Sequence, residues 1–400
     1  MSSYWELVKF EYRKVLCKRS TIITLLLGIL LTALSCVGPL MGNDYINGEV
    51  FESNYEAMKK DREYSRRLSG REINSDLLSE TIKAYRHIPL SEGQYSDMNE
   101  YQIYARPYSE IFYHIRKAYN INSLKEISSI TKENLDDFYT IRQSRVENNI
   151  DDTTMSFKEK ANSIKLSRAV KTPFIYSYMG GYWRFFSQIQ VTAFLICFIC
   201  SICISPLFAG EYIDGMDSLI FSSKYGKNKI ICAKLFTGIT FTVLLSILLT
   251  IISYVTVMMF YGWDGSNAPI QLYIPLSIIP LTLGQVAMLY FIIVLCGNIL
   301  SSALTMLLSA KLKSPFIVLV IMTVITILPV FVRVSEDVLW IYHLINLIPV
   351  KMFDFSNIIS IFSIDLLGII MQPYELFISF SIVVSIILLP LAYKSFKNHN

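Results

Sequence analysis

The residues that could carry chemistry in this chain are few and scattered. Cys197, Cys200 and Cys203 fall at i, i+3 and i+6, on one face of a helix, and that spacing could serve a metal ion. No paired cysteine or histidine lies near them, however, and cysteine packs in an apolar helix as a small apolar residue. The four histidines lie in separate segments, and no H-E-x-x-H, G-x-S-x-G or G-x-x-x-x-G-K-[ST] motif occurs. We therefore expect no catalytic site, no metal site and no phosphate-binding loop for ATP in this chain.

Uncharged polar side chains form a second group of candidates. Gln188, Gln285 and Asn298 fall within long apolar segments, where a polar group is costly and therefore informative. Hydrogen bonding between helices is the simpler explanation. Contact with a transported substrate is the alternative, and these three residues are our candidate substrate pathway. No charge lies near the middle of these segments, which argues against a proton-driven pump.

The most informative polar segment is 209–229, which lies between two apolar runs. It reads as a short helix with Glu211, Asp214 and Asp217 early and Lys224 late, an arrangement that suits the helix dipole. Its apolar side chains would be exposed: Met216, Leu219, Ile220 and Phe221. An apolar surface with nothing of its own to pack against indicates a binding partner.

The elements that hold these residues are predicted to be membrane-spanning helices. The 400 residues are 53% hydrophobic and 17% charged, and the apolar residues are gathered into runs of about 20, the length that crosses a bilayer. Six such runs predict six transmembrane helices: 21–41, 187–208, 230–260, 276–309, 315–333 and 376–393. Residues 338–352 and 357–371 are too short to span and predict two re-entrant helices within 338–371.

The basic residues predict the orientation. The segment before the first run and the loops after the second, fourth and sixth runs together hold thirteen basic and five acidic residues. Basic loops stay on the cytoplasmic side, so both chain ends are predicted in the cytoplasm of a multi-pass plasma-membrane protein. Residues 1–20 carry an apolar stripe through Trp5, Val8 and Tyr12, which favours an interfacial helix over a simple extension of the first span. The charge pattern is explained by topology, so we expect no nucleic-acid partner.

Residues 42–185 are predicted to form an extracellular, mostly α-helical domain with 21 basic and 21 acidic residues and no cysteine. Periodic apolar residues predict its helices: 50–69, 74–87, 97–120, 131–148 and 156–169. Seven aromatic residues crowd its return to the membrane: Phe174, Tyr176, Tyr178, Tyr182, Trp183, Phe185 and Phe186. We interpret them as a belt at the membrane surface, with a substrate-gathering surface as the alternative.

The segment after the second span carries a family resemblance. An acid is followed four residues later by glycine, then by a Ser-Ser turn, a glycine and a lysine that opens the next span: Glu211, Gly215, Ser222, Ser223, Gly226 and Lys234. With six spans and an amphipathic N-terminal helix, this pattern resembles the type-2 ABC transporter permeases. The likeness covers most of the chain outside 42–185. Ser223 stands where proline is common in that family.

The resemblance implies a function and a set of coupling residues. In that family the segment after the second span is a coupling helix that docks on a separate cytoplasmic ATP-binding subunit, which holds ATP and Mg²⁺. The implied ATPase-coupling residues are Glu211, Asp214, Gly215, Leu219, Phe221, Ser222, Ser223, Gly226 and Lys234. The resemblance also implies a second permease copy, or a related permease, packed against the first and fifth spans, with membrane lipids around the pair.

The sequence thus predicts a transport subunit of an ABC exporter and not an enzyme. Families of this kind move drugs, antimicrobial peptides, lipids, polysaccharides or sodium. The lack of carboxylates inside the spans favours a hydrophobic or amphipathic cargo over sodium, which stays the alternative. A membrane sensor with a ligand-binding outer domain is a further alternative, although no loop is long enough for a cytoplasmic output domain.

Overall fold

The structure is a computed structural model that describes residues 2–46, 49–89, 95–223 and 226–398. Helices dominate these residues, and five of them are long and apolar enough to cross a membrane. They are Arg19–Met41, Gly180–Ile213, Gly226–Tyr261, Leu283–Lys311 and Pro373–Lys397. A helix rises about 1.5 Å per residue, so about 20 residues cross a hydrocarbon layer of about 30 Å. The chain is therefore a mostly α-helical, polytopic membrane protein.

The chain begins with two helices and a short hairpin. Helix α1 (Ser2–Leu16) is separated by a two-residue break from α2 (Arg19–Val37), which ends in a 3-10 turn over Gly38–Met41. Strands β1 (Asn43–Ile46) and β2 (Glu49–Ser53) then pair antiparallel. The prediction of a helix over 50–69 was wrong at its start, because residues 49–53 belong to this hairpin.

Among the described residues, six α-helices build the domain that follows. They are α3 (Asn54–Leu68), α4 (Ser75–Arg86), α5 (Ser109–Tyr119), α6 (Lys132–Asp136), α7 (Phe138–Asp151) and α8 (Phe157–Arg168). The predicted helix 97–120 is regular only from Ser109, after short irregular turns that include Pro107. Proline has no N–H to donate and clashes with the preceding turn, so a regular helix does not run through it. Buried side chains such as Ile73, Leu77 and Phe112 form the core of the domain.

Six further helices, long and short, belong to the described part of the bundle. They are α9 (Gly180–Ile204), α10 (Pro206–Ile213), α11 (Asp217–Ser222), α12 (Ile231–Tyr261), α13 (Leu283–Lys311) and α14 (Pro315–Ile327). Helix α9 lies at the centre and packs against α2, α12, α13 and α14. With the 3-10 turn that follows it, α14 covers Pro315–Phe331, which is shorter than the five long helices.

The chain closes with short elements and one long helix. They are α15 (Leu339–Asn346), α16 (Pro349–Met352), α17 (Phe355–Ile358), β3 (Ile364–Leu366), β4 (Ile369–Met371) and α18 (Pro373–Lys397). The prediction of a re-entrant helix over 357–371 was wrong: β3 and β4 form an antiparallel hairpin there. Gly368, with φ of +92°, lies in its turn, a conformation that glycine adopts without strain.

The domain is anchored to one end of the bundle by arginine side chains. The guanidinium of Arg142, buried in the domain, donates to the carbonyls of Pro275 (2.7 Å) and Ser277 (3.0 Å). Residues 275–282, which include Pro275 and Pro280, are not helical, so α13 begins at Leu283 and the predicted start at 276 was wrong. Arg66 adds an ion pair with Asp264 (2.7 Å).

Small residues allow close packing of the helices. A Cβ atom at Gly297 would lie 2.5 Å from the Phe353 ring, and one at Gly238 would lie 2.5 Å from the Met306 sulfur. Ser302 of α13 lies 2.8 Å from the hydroxyl of Thr242, which bonds to it across the helix pair. Small residues of α12 and α13 thus let neighbouring elements of the bundle approach closely.

Candidate functional site

The segment after α9 forms a knob at the end of the bundle opposite the domain. We define the knob as residues 206–223, which comprise α10, a turn at Gly215 and α11. The single helix predicted here was wrong, because Gly215 has φ of +63° and breaks the chain into two helices. Asp214 directly follows the last residue of α10 and is exposed. Lys224, which we predicted late in that helix, lies outside the described residues.

The outer surface of the knob is apolar. Ile213 is 64% exposed, Leu219 is 60% exposed and Met216 is 44% exposed. The expectation of exposure was wrong for Ile220 and Phe221, which are both partly buried; the ring centroid of Phe221 lies 5.3 Å from that of Phe396 in α18. The knob therefore presents three apolar side chains outward while Phe221 attaches it to α18.

Hydrogen bonds attach the knob to α13 as well. The Ser309 hydroxyl accepts from the backbone N–H groups of Phe208 (3.1 Å) and Ala209 (3.0 Å) and donates to the carbonyl of Ser205 (2.7 Å). The Tyr212 hydroxyl donates to the carbonyl of Ala310 (3.0 Å). Ser309 thus uses its donor and its acceptors on the junction between α9 and α10, which fixes the direction in which the knob leaves the bundle.

A cluster of four charges, three of them buried and Lys14 partly exposed, lies behind the knob. The Lys234 ammonium, whose side chain is fully buried in α12, lies 2.6 Å from Glu211 and 2.9 Å from Glu11. Lys14 makes a second ion pair with Glu211. We call these four residues the charge cluster. It has two cations and two carboxylates, so it is neutral as a whole, and it joins α1, α10 and α12.

Because most of the charge cluster is buried, its ion pairs resist displacement of the helices that carry them. A buried ion pair contributes little net stability, because desolvating the charges offsets their attraction. Breaking one pair is expensive, since it leaves an uncompensated charge away from water. The three helices are therefore held in one arrangement, and a displacement of α10 is resisted by both α1 and α12.

The remaining predicted coupling residues shape the turn after α11. Ser222 and Ser223 are exposed, and their hydroxyls donate back to the carbonyls of Leu219 (3.0 Å) and Ile220 (2.8 Å). Gly226 is buried, and a Cβ atom there would lie 1.5 Å from the carbonyl oxygen of Ile220. The space beside Ile220 therefore admits only a glycine.

The three candidate pathway residues do not converge. Gln188 is buried, and its side-chain amide donates to the Ser35 hydroxyl, which ties α9 to α2. It also accepts from Arg184 of its own helix (3.1 Å). Asn298 donates to Val294 of its own helix (2.9 Å), while its buried carbonyl oxygen has no partner among the described residues. The structure describes no hydrogen bond between any two of the three.

Gln285 has a structural role that the sequence prediction missed. It is the third residue of α13, and its side chain accepts from the backbone N–H of Thr282 (2.9 Å). The Thr282 hydroxyl accepts in turn from the Gln285 N–H (3.3 Å). This reciprocal pair is a capping box, which satisfies two N–H groups at the start of the helix.

The aromatic residues near the membrane return are mostly buried in the protein. Trp183 is 53% exposed, whereas the other six are at most 4% exposed: Phe174, Tyr176, Tyr178, Tyr182, Phe185 and Phe186. The prediction of an aromatic belt was therefore wrong for these six. They form the packed junction between domain and bundle, where Phe186 stacks on Phe355 at 4.7 Å.

The three cysteines of the predicted helical face pack in the interior of the bundle. Cys197, Cys200 and Cys203 are buried in α9, and no group of metal-ligating side chains occurs among the described residues.

Sequence reasoning missed Glu11 and Lys14 as members of the charge cluster. The sequence did contain a signal for Glu11. This residue lies three positions after Val8 and four before Val15, so it shares their face of α1, and both valines are buried.

No protein-family model, no curated protein and no solved structure matches this chain. What the chain does is therefore argued from the knob, the charge cluster and the bundle that carries them.

Proposed function

We propose that this chain is the membrane-spanning permease subunit of an ATP-driven exporter. It works with a separate cytoplasmic ATPase subunit that binds the knob, and with a second copy of itself or a related permease. The cargo is hydrophobic or amphipathic. Both chain ends and the knob lie in the cytoplasm, residues 42–185 lie outside the cell, and α14 serves as the sixth span.

The observation that carries the proposal is an exposed apolar surface on a firmly attached base. Ile213, Met216 and Leu219 face outward from one end of the bundle. The basic loops that predict the cytoplasmic side lie at the same end. Apolar side chains at the centre of an interface, surrounded by polar groups, are typical anchors for a partner protein. A cytoplasmic subunit that covers these three side chains removes them from water.

The attachment of the knob gives a route for coupling. A movement imposed on α10 acts on α12 and α1 through the charge cluster, and on α13 through Ser309. Phe221 transmits the same movement to α18. Rigid-body tilting of helices that are joined in this way is how packed bundles change the access of a central pathway.

The outer faces of two helices support a second permease. Helices α2 and α14 both pack on α9, and each leaves large apolar side chains exposed. On α2 these include Leu26 and Leu30, and on α14 they include Phe316 and Val324. In a membrane such faces contact either lipid or another helix, and we place the second permease here.

The polar groups within the bundle support the cargo class. Gln188 and Ser302 are engaged in hydrogen bonds between helices, and the only ion pairs that the described bundle buries are those of the charge cluster at its end. Such an interior offers no carboxylate to coordinate sodium midway along a span. It suits a cargo that travels along an apolar surface.

The test begins with a search of the adjacent genes for an ATPase that has a phosphate-binding loop, and it continues with reconstitution of the full chain with that subunit. Replacing Leu219 with glutamate places a charge in the proposed interface, and we expect the affinity for the ATPase subunit to fall by about 30-fold, the cost of a central apolar anchor. The stimulation of ATP hydrolysis by the chain should fall in parallel.

The matched control is Ile369→Glu. Ile369 is 68% exposed, against 60% for Leu219, but it lies in the β3–β4 hairpin, away from the knob. This variant should bind and stimulate the ATPase as the unaltered chain does. Equal affinity in the Leu219→Glu variant and the control would refute the docking assignment, and failure of the unaltered chain to bind the ATPase would refute the function.

A further inference from the structure

A cavity of about 690 Å³ lies where the domain meets the bundle. It is lined by the turn that ends α2, by helices α3 and α5, and by the start of α9. Its walls carry five aromatic side chains: Tyr113, Tyr178, Trp183, Tyr261 and Tyr273. The volume lies within the range of about 300–1,000 Å³ that small-molecule sites occupy.

The charges that line the cavity all have one sign. Asp44, Asp61 and Glu110 contribute to its wall, whereas none of the lysines, arginines and histidines that the structure describes does. Asp61 is already paired with Arg106 (2.7 Å). Glu110 accepts a hydrogen bond from the Tyr176 hydroxyl and makes no ion pair with any described residue. It is therefore a carboxylate inside a cavity without a cation of its own.

The basic residues near the cavity already have partners, and two of them lie over rings of its wall: Arg66 over Tyr178 at 5.9 Å and Lys117 over Tyr113 at 5.5 Å. Arg66 pairs with Asp264, and Arg62 donates to the carbonyl of Phe260 (3.3 Å). Arg106 is shared between Asp61 and Glu52. Burial raises the pKa of Glu110, the Tyr176 hydroxyl opposes that shift, and the charge of Asp61 adds to it. A cation bound beside Glu110 would relieve this unfavourable environment.

We propose that the cavity binds an amphiphilic organic cation, with the cationic group against Glu110 and the tyrosine faces, and with the apolar part along Leu40 and Trp183. Aromatic faces attract cations through their quadrupoles, and a carboxylate within such a cage adds direct attraction. Leu40 follows the end of α2, and Trp183 is half exposed in the first turn of α9. The apolar part thus points to the outer faces of those helices, along which a membrane-dissolved ligand would arrive.

That this ligand is the exported cargo rests on the function proposed above. The binding does not, because it is measured on the permease chain alone and without ATP. If binding holds and ATP-dependent transport fails, the export function is wrong and the site stands. If transport holds and binding fails, the site is wrong and the export function stands.

The experiment uses two probes of matched shape and opposite charge, tetraphenylphosphonium and tetraphenylborate. The full chain is placed in lipid nanodiscs, and saturable binding of each radiolabelled probe is measured by equilibrium dialysis against empty nanodiscs. We expect saturable binding of the phosphonium and none of the borate. Glu110→Gln, which keeps the side-chain shape and an acceptor for Tyr176, should weaken phosphonium binding about tenfold.

Two further variants and one control complete the design. Asp44→Lys reverses an exposed charge at the cavity wall and Tyr113→Leu removes an aromatic wall, and each should weaken phosphonium binding several-fold. These two side chains are exposed, so both variants test the site even if Glu110→Gln fails to fold. Glu63→Gln alters a carboxylate on α3 that pairs with Arg67 outside the cavity and should bind as the unaltered chain does. Equal phosphonium affinity in Glu63→Gln and in every folded cavity variant, or equal saturable binding of the borate, would overturn the proposal.

Discussion

Replacing Lys234 with methionine tests the charge cluster most directly. The change keeps the length of the side chain and removes the ammonium that faces both Glu11 and Glu211. Glu211 keeps Lys14 as a partner, but Glu11 is only 4% exposed and loses its ion-pair partner among the described residues. One uncompensated buried carboxylate remains.

The expected magnitude follows from that remaining charge. Removing one partner of a buried ion pair costs about 3–5 kcal/mol, because the other charge stays away from water. The double variant Lys234→Met with Glu11→Gln removes both charges and leaves the pair of Lys14 with Glu211. It should therefore recover about 2 kcal/mol or more of the loss, although it carries two substitutions.

The assay is the free energy of unfolding of the full chain, measured by titrating sodium dodecyl sulfate into micelles of a mild detergent. Lys311→Met is the control, since Lys311 is an exposed lysine at the end of α13 and should change stability by no more than about 0.5 kcal/mol. A loss below about 1 kcal/mol for Lys234→Met, or a double variant no more stable than the single one, would refute the reasoning.

Two further predictions concern the domain and the start of α13. Burial, with a smaller effect of the neighbouring Arg142, lowers the pKa of His114 to about 4. Because the unfolded value is about 6.5, the stability contributed by neutral His114 is complete above pH 6.5 and falls by about 3 kcal/mol as the pH drops to 4. Thermal unfolding of the full chain across this range should show that loss, and a His114→Leu variant with the same loss would contradict it. Gln285→Ala should cost about 1 kcal/mol of stability through the lost cap while leaving transport unchanged, and a selective loss of transport would return Gln285 to the substrate pathway.

The sequence alone determined the class of this protein and the position of its long helices. A run of about 20 apolar residues has one favourable arrangement, a helix whose backbone groups are all bonded within it, so the runs beginning near 21, 230 and 376 were found without any tertiary information. The knob was also visible in the sequence, since Met216 and Leu219 follow an acidic turn and precede basic residues.

Helix boundaries depended in part on contacts that no local pattern contains. The apolar run from 276 is not helical at first: Pro280 interrupts it, and Arg142 of the domain binds the carbonyls of Pro275 and Ser277. That shift moves Gln285 from the interior of a span to its cap. The aromatic residues near 180 were misread for a similar reason, since a packed domain covers them and a membrane surface does not.

The candidate site itself was decided only in three dimensions. The sequence pattern named Glu211 and Lys234, which lie 23 residues apart, but it did not show that they pair, and it did not name Glu11, which lies 223 residues from Lys234. Burial makes this meeting selective, because a charge within the bundle is tolerated only opposite its partners. Sequence supplied the ionisable side chains and the helices that carry them, and tertiary packing decided which of those charges meet.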